Sequence, residues 1–429
     1  MQEGTWLGHP RGLTVLFLTE MWADFSYFGM RALLVYYMTT QLHLGIAAAS
    51  TIYGAYTASA HLTPIAGGVL ADRWLGKRVS VASGAAIMAL GHFMMTFPAL
   101  FFPALATVAV GFGLFLPSLP SQVVSLYPEG DPRLDRAYSV YYVGINLGSF
   151  LAPIVCGTLG ERYGWHVGFA AAGVGMLIGL AVYVAGSRWL PEGQGRVRGE
   201  ATEPAQGEAR AAAPGGLLAH LRPLMGELAV LAVAVILFRI AYEQIGNSIA
   251  LWTESGVDRE IAAFGGFTVP MTWFQSLNPL AIFALTPLVL RRWRRLSSRG
   301  REPGSVAKMA GGAWLLAAAF ASIAAAGAIS AGRVPWLALV LFMLLLTLGE
   351  ICFMPIGLSL VTRLAPRGHR ATLLGGWFIL AFFANFAAGV LGREFAVWRP
   401  VPFFAVCAGL AAAAGLVLHL GSWRRLSRR

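Results

Sequence analysis

The sequence predicts an all-α, polytopic membrane protein with twelve transmembrane helices in two six-helix bundles. Three observations predict it. The 429 residues are 57% hydrophobic and only 12% charged, with a mean hydropathy of +0.65. An ordinary soluble domain is about 45–50% apolar and about 25% charged. Twelve apolar runs follow one another, and one polar segment divides them into six and six. A soluble enzyme, a disordered chain and a disulfide scaffold are excluded by the same numbers.

The runs cover about 12–40, 48–73, 79–98, 101–127, 136–160, 166–188, 224–252, 264–290, 307–330, 335–364, 370–392 and 399–421. Helix is expected for each, because a backbone in lipid must satisfy its hydrogen bonds within the segment. Each run meets the roughly 20 residues that a bilayer crossing needs, and the longest imply tilt. The first carries Glu20, Asp24 and Arg31, so it is expected to stay as a span rather than act as a cleaved signal. Residues 191–216, rich in Gly, Pro, Glu and Arg, have linker composition. The expected division is therefore 1–190, a cytoplasmic linker 191–216, and 217–429.

The net charge is +12. In a soluble chain that would suggest nucleic acid. Here the basic residues fall in the short segments between spans. With the N-terminus inside, 25 of the 32 basic residues lie on the cytoplasmic side and five lie outside. That asymmetry predicts both termini in the cytoplasm, and the charge serves topology rather than nucleic-acid binding. Cys156, Cys352 and Cys407 sit in apolar stretches without CxxC spacing, so a disulfide framework is not expected. No metal-ligand cluster, nucleophile–base pair or phosphate loop has a credible context. No metal, cofactor or enzymatic activity is expected, and the chain is expected to work as a monomer.

Ionisable residues inside spans cost at least about 2.5–3.5 kcal/mol each at mid-helix, so they usually face a cavity or a partner. The set here is Glu20, Asp24, Arg31, His61, Arg239, Glu243 and Glu350. Both halves contribute, as a central cavity between two bundles requires. Glu20, Asp24, Tyr27 and Arg31 are spaced four, three and four apart, on one helical face. Arg239 and Glu243 are likewise i and i+4. The competing reading of these charges is a set of local ion pairs that serve packing alone.

The loop after the second run reads GGVLADRWLGKR, residues 67–78. It resembles the cytoplasmic signature of the major facilitator superfamily, carried here by Gly68, Asp72, Arg73, Gly76 and Lys77. In that resemblance Asp72 and its basic neighbours form a latch on the cytoplasmic side.

A narrower resemblance follows from longer motifs. The first span, EMWADFSYFGMRALLVYY, resembles the opening motif of the proton-dependent oligopeptide transporter family. Residues 126–153 resemble its second signature, with an F-Y-x-x-I-N-x-G core. FRIAYEQIGNSIALW, VPMTWFQSLNPLAIF, LGEICFMPIGLSLVTRLAP and GGWFILAFFANFAAG are similar to its seventh, eighth, tenth and eleventh spans. The resemblance implies alternating-access uptake of di- and tripeptides driven by protons, across a bacterial cytoplasmic (inner) membrane. Carried over residue by residue, it implies peptide contacts at Tyr27, Arg31, Asn146 and Asn278. It gives Glu350 the peptide's amino terminus, Trp377 the cavity wall, and Glu243 a part in coupling and gating.

The departures matter as much. The family's E-x-x-E-R reads Glu20, Ala23 and Asp24 here, so Glu and Arg are lost from the last two positions. Its K-P-N reads Leu116, Pro117 and Ser118, its second-span Tyr aligns with His61, and a further Tyr is Phe28. Arg239 stands one turn before Glu243. The pattern suggests a charge exchange, an Asp24–Arg239 bridge with reversed polarity. Glu20, Asp24, Arg239 and Glu243 are thus the candidates for coupling and gating. The alternative function is a facilitator, or a symporter of another small organic solute, with altered or lost coupling. An enzyme, a channel and a lipid-handling protein are weaker readings.

Overall fold

In the computed structural model the described residues are all except 1–4, 7, 129–130, 192–221, 223–224, 262–264, 365–369 and 422–429. The linker from residue 192 to 216 therefore lies outside the described residues.

The helices follow the apolar runs. They are α1 Arg11–Thr40, α2 Ile46–Leu70, α3 Lys77–Met94, α4 Phe101–Val124, α5 Leu134–Ala152, α6 Thr158–Tyr163 and α7 Trp165–Gly186. After the linker come α8 Met225–Tyr242, α9 Ser248–Ser255, α10 Trp273–Ser297, α11 Ser305–Ile329, α12 Trp336–Leu364, α13 Arg370–Arg393 and α14 Pro400–Leu420. Strand structure among the described residues is confined to two-residue pairings at helix ends.

Two expected spans are not single helices. Residues 134–163 run as α5, a π-turn at Pro153–Gly157, then α6. The seventh span breaks at a 3-10 turn, Glu243–Gly246, followed by Asn247 at φ −120°, ψ −94°. The break leaves backbone groups of that turn outside the α-helical ladder, and side chains take up part of the bonding. Nine of the described helical segments are long and apolar enough to cross a membrane by length and composition. The helices α1, α2 and α3 are not among them. The buried Glu20 and half-buried Asp24 on α1, and Lys77 and Arg78 at the start of α3, show charged residues in α1 and α3.

The contacts divide the chain into two compact units. Unit 1 is Met1–Gly45, Ser59–Val197 and Ile261–Leu280. In it α1 packs on α5 and α7, and α3 packs on α4 and α7. Its core includes Leu33, Tyr36, Met88, Phe115 and Phe169. Unit 2 is Ile46–Ala58, Arg198–Glu260 and Ala281–Arg429. There α11 packs on α12 and α14, and α8 packs on α13 and α14, around Phe238, Phe320, Phe342, Phe353 and Phe404. The units do not follow the chain halves. The first half of α2 groups with unit 2, and the start of α10 groups with unit 1. In unit 2 the α2 seat is tight: a Cβ on Gly54 would overlap the Cα of Gly389 on α13. Only hydrogen at both positions allows that approach.

Candidate functional site: intramembrane charges

In unit 1, α1 is one unbroken helix from Arg11 to Thr40. Its geometry therefore puts Glu20, Asp24, Tyr27 and Arg31 within about 60° of arc, as the spacing predicts. Glu20 is 4% exposed, Tyr27 is buried, and Asp24 and Arg31 are half-buried. Tyr27 stacks on Phe112 of α4 with ring centres 4.6 Å apart, which fixes its ring. Glu20 Oε2 and Asp24 Oδ2 are buried and make no hydrogen bond among the described residues. Tyr141 of α5 is the phenol facing both acids, and its hydroxyl is also buried outside hydrogen-bond geometry. Three polar atoms without bonds in one buried place are costly unless a proton or ligand visits them.

The other unit 1 candidates sit on neighbouring helices. His61 is half-buried on α2. Asn146 on α5 is buried and donates its amide to the Tyr142 carbonyl at 2.9 Å. Asn278 is half-buried on α10, within the piece of that helix that belongs to unit 1.

Unit 2 holds Arg239, Glu243, Glu350 and Trp377. Arg239 lies in the last turn of α8, and Glu243 opens the 3-10 break. They form an ion pair of 3.2 Å, with side chains only 10% and 6% exposed. The break thus starts at a charged, buried residue whose partner is one turn back. A buried pair of this kind fixes geometry more than it adds stability, and losing one member strands the other. Glu350 is half-buried on α12. Trp377 on α13 is buried against Gly357 of α12, where any side chain would meet the indole. The indole is thereby seated against the same helix that carries Glu350.

The loop motif is placed differently from its expected role. Residues 71–75 form a π-turn closed by the Gly76 amide on the Ala71 carbonyl at 2.8 Å. Gly76 has φ +78°, a conformation that favours glycine. Gly68 is half-buried beside Pro117 of α4 and Lys77 is half-buried at the start of α3. Asp72 and Arg73 are exposed, and among the described residues neither forms an ion pair. The engaged base is Arg78, which donates to the carbonyls of Ser187, at 3.1 Å, and Leu190. It satisfies open carbonyls just past α7, where a cation is favoured.

Two further clusters were not singled out from the sequence. In unit 1, Glu161 of α6 accepts the Met271 and Thr272 amides at 3.0 Å each and the Thr272 hydroxyl at 2.6 Å. Trp273 Nε1 donates to the Thr158 hydroxyl at 2.8 Å. In unit 2, the Ser50 hydroxyl donates to Asn247 Oδ1 at 3.0 Å, and Gln244 donates to the Ala388 carbonyl at 2.9 Å. Glu161 with Met271 and Thr272, Thr158 with Trp273, and Ser50 with Asn247 each join a residue before the linker to one after it.

A family model described as the POT family matches residues 78–198 and 220–399. The chain belongs to the POT family. The major facilitator fold follows from that membership, and so does its place among membrane-spanning transporters. A peptide transporter of Yersinia enterocolitica is 34% identical, over 90% of this chain and 88% of its own length. A di-/tripeptide transporter of Lactococcus lactis is 30% identical, over 97% and 96%. A crystal structure of a peptide transporter POT in complex with sulfate aligns over 99% of this chain and 97% of its own, at 33% identity and a TM-score of 0.85.

Proposed function

We propose that the chain imports di- and tripeptides by alternating access, with protons as the driving ion. Membership of the POT family, with relatives named as peptide transporters, is the observation that carries this reading. A small peptide offers a cation at one end, an anion at the other and amides between. In this reading Arg31 takes the carboxylate and Glu350 the amino terminus, with Tyr27, His61, Asn146 and Asn278 along the backbone and Trp377 against a side chain. Arg31 and Glu350 belong to opposite chain halves, so engaging both favours closure. The two six-helix bundles are 1–190 and 217–429, joined by the linker 191–216. Arginine distribution supports cytoplasmic termini in a bacterial inner membrane. The protein acts as a monomer, without a cofactor and without enzymatic chemistry.

Coupling in this reading runs through a changed charge set. Glu20 and Asp24, with Tyr141 beside them, take and release the proton, because one proton between two buried carboxyls removes a like-charge repulsion. Arg239 and Glu243 form the gate pair. A reversed-polarity bridge from Asp24 to Arg239 belongs to the same proposal. Transport should fall in Asp24→Arg and partly return in Asp24→Arg with Arg239→Asp; normal expression without rescue removes the bridge. A second reading is favoured by Ala23, Asp24 and Leu116, which replace the acid and the bases of the family pattern. It is facilitated transport, or transport of another small organic solute. A thermal-shift screen of dipeptides against other solutes tests substrate class. Dipeptides should stabilise the protein and lose that effect in Glu350→Gln; equal stabilisation of both would overturn the assignment.

A further inference from the structure

Two grooves in unit 1 lie on one seam. The first, about 400 Å³, is lined from α1 by Arg11, Thr14 and Leu18, from α7 by Val182 and Ala185, and from the 3-10 turn just past α7 by Trp189. The second, about 440 Å³, continues along α1 with Met21, Trp22 and Phe25, and along α7 with Val174 and Ile178, and is closed on its third side by Gly148 and Leu151 of α5 and by Val155 of the π-turn that follows. On both helices the steps are three or four residues, so each helix turns one continuous face to the seam. Residues 11 to 25 of α1 span about 21 Å. Half of a hydrocarbon core about 30 Å thick is shorter than that.

The seam is apolar along its length, with arginines at one end. Its upper part is almost wholly apolar, and Val174 and Ile178 there are exposed. Arg11 opens α1 at the mouth. Arg188 lies over the Trp189 ring, 4.1 Å from its centre. Both arginines are exposed, and among the described residues neither forms an ion pair. Arg78 already bonds the carbonyls of Ser187 and Leu190, so the backbone beside the mouth is fixed while Arg11 and Arg188 stay available for an anion. A tryptophan with arginines at the end of an apolar groove is the chemistry of a membrane interface that meets phosphate.

We propose that this α1–α7 groove binds one anionic phospholipid of the cytoplasmic leaflet. Arg11 and Arg188 hold the phosphate, Thr14 offers a hydroxyl beside it, and one acyl chain lies between the helices. The leaflet assignment rests on the cytoplasmic N-terminus of the proposed function. The binding itself is measured without transport or sidedness, so the two stand or fall separately.

The test uses delipidated full-length protein in detergent, titrated with phosphatidylglycerol, phosphatidylethanolamine or inorganic phosphate while its melting temperature is followed. Phosphatidylglycerol should raise the melting temperature, and the other two should not. Arg11→Gln with Arg188→Gln should weaken the apparent affinity about thirtyfold, two basic contacts being lost. Ala185→Trp, which fills the groove and leaves both arginines, should also weaken it, with the lipid-free melting temperature unchanged. Equal responses to phosphatidylglycerol and phosphatidylethanolamine would overturn the proposal, as would no response. A matching response to inorganic phosphate would reduce the site to a simple anion site. Unchanged affinity in both variants would place the lipid elsewhere.

Discussion

The Glu161 carboxylate takes the Thr272 hydroxyl at 2.6 Å and the Thr272 amide at 3.0 Å, with the Met271 amide beside it. A helix N-terminus leaves backbone donors open and favours negative charge. Glu161 therefore caps α10 from a helix 110 residues earlier in the chain. In the proposed topology this is an outer helix end, where the chain halves must part for the site to open outward.

Glu161→Gln keeps the shape and removes the charge. Bonds to a charged group contribute about 1.5–3 kcal/mol. The variant should lose stability of that order, read as a lower denaturation midpoint in detergent. An unchanged midpoint would show that the cap carries no weight.

The second stitch admits a covalent test. Ser50 Oγ lies 3.0 Å from Asn247 Oδ1. With Cys156, Cys352 and Cys407 replaced, Ser50→Cys and Asn247→Cys should crosslink under mild oxidation. Crosslinking should stop uptake, and reductant should restore it. Full uptake by the crosslinked protein would show that this contact need not open during transport.

The buried pair on the seventh span predicts a non-additive effect. Arg239→Met leaves the Glu243 carboxylate in a buried place and should cost about 3–5 kcal/mol. Arg239→Met with Glu243→Gln should recover most of that stability. Additive losses in thermal melts would mean that the 3.2 Å contact is not an energetic unit.

Outside the membrane, His9 Nδ1 and the Tyr127 hydroxyl are 2.8 Å apart. Burial lowers the imidazole's affinity for protons, and Arg136 and Arg133 add to the effect. A folded-state value below the unfolded one makes this contribution complete above the unfolded range near 6.5, and it is lost as pH falls through the folded value. Melting temperatures taken from pH 7.5 to 5 should fall more steeply for the native chain than for His9→Gln. Parallel curves would remove His9 from the account.

The face of α1 was legible because a helix has one period, and Glu20, Asp24, Tyr27 and Arg31 keep it. The order of helices was legible because lipid permits little else. The break at Glu243 was hidden, since the run 224–252 contains no proline and the interruption is a backbone event at Gly246 and Asn247. Tyr141 read as one more aromatic in an apolar segment until α5 was laid against α1. Glu161 was not singled out because its three donors lie more than a hundred residues away. Asp72 matched a motif, yet the bonded base beside it is Arg78, whose acceptors no local pattern could disclose.

The buried Oε2 of Glu20 and Oδ2 of Asp24, which make no hydrogen bond among the described residues, carry the claim of altered proton coupling. Glu20→Gln with Asp24→Asn should abolish gradient-driven accumulation and leave counterflow exchange of peptide. Retained accumulation in that variant would move the proton elsewhere.

The most direct measurement is a pH-jump uptake experiment with a labelled dipeptide in liposomes holding the purified protein. An inward proton gradient alone should drive the dipeptide above its outside concentration, and a protonophore should collapse it. Uptake that stops at equal concentrations, with or without the gradient, would contradict proton-driven peptide import.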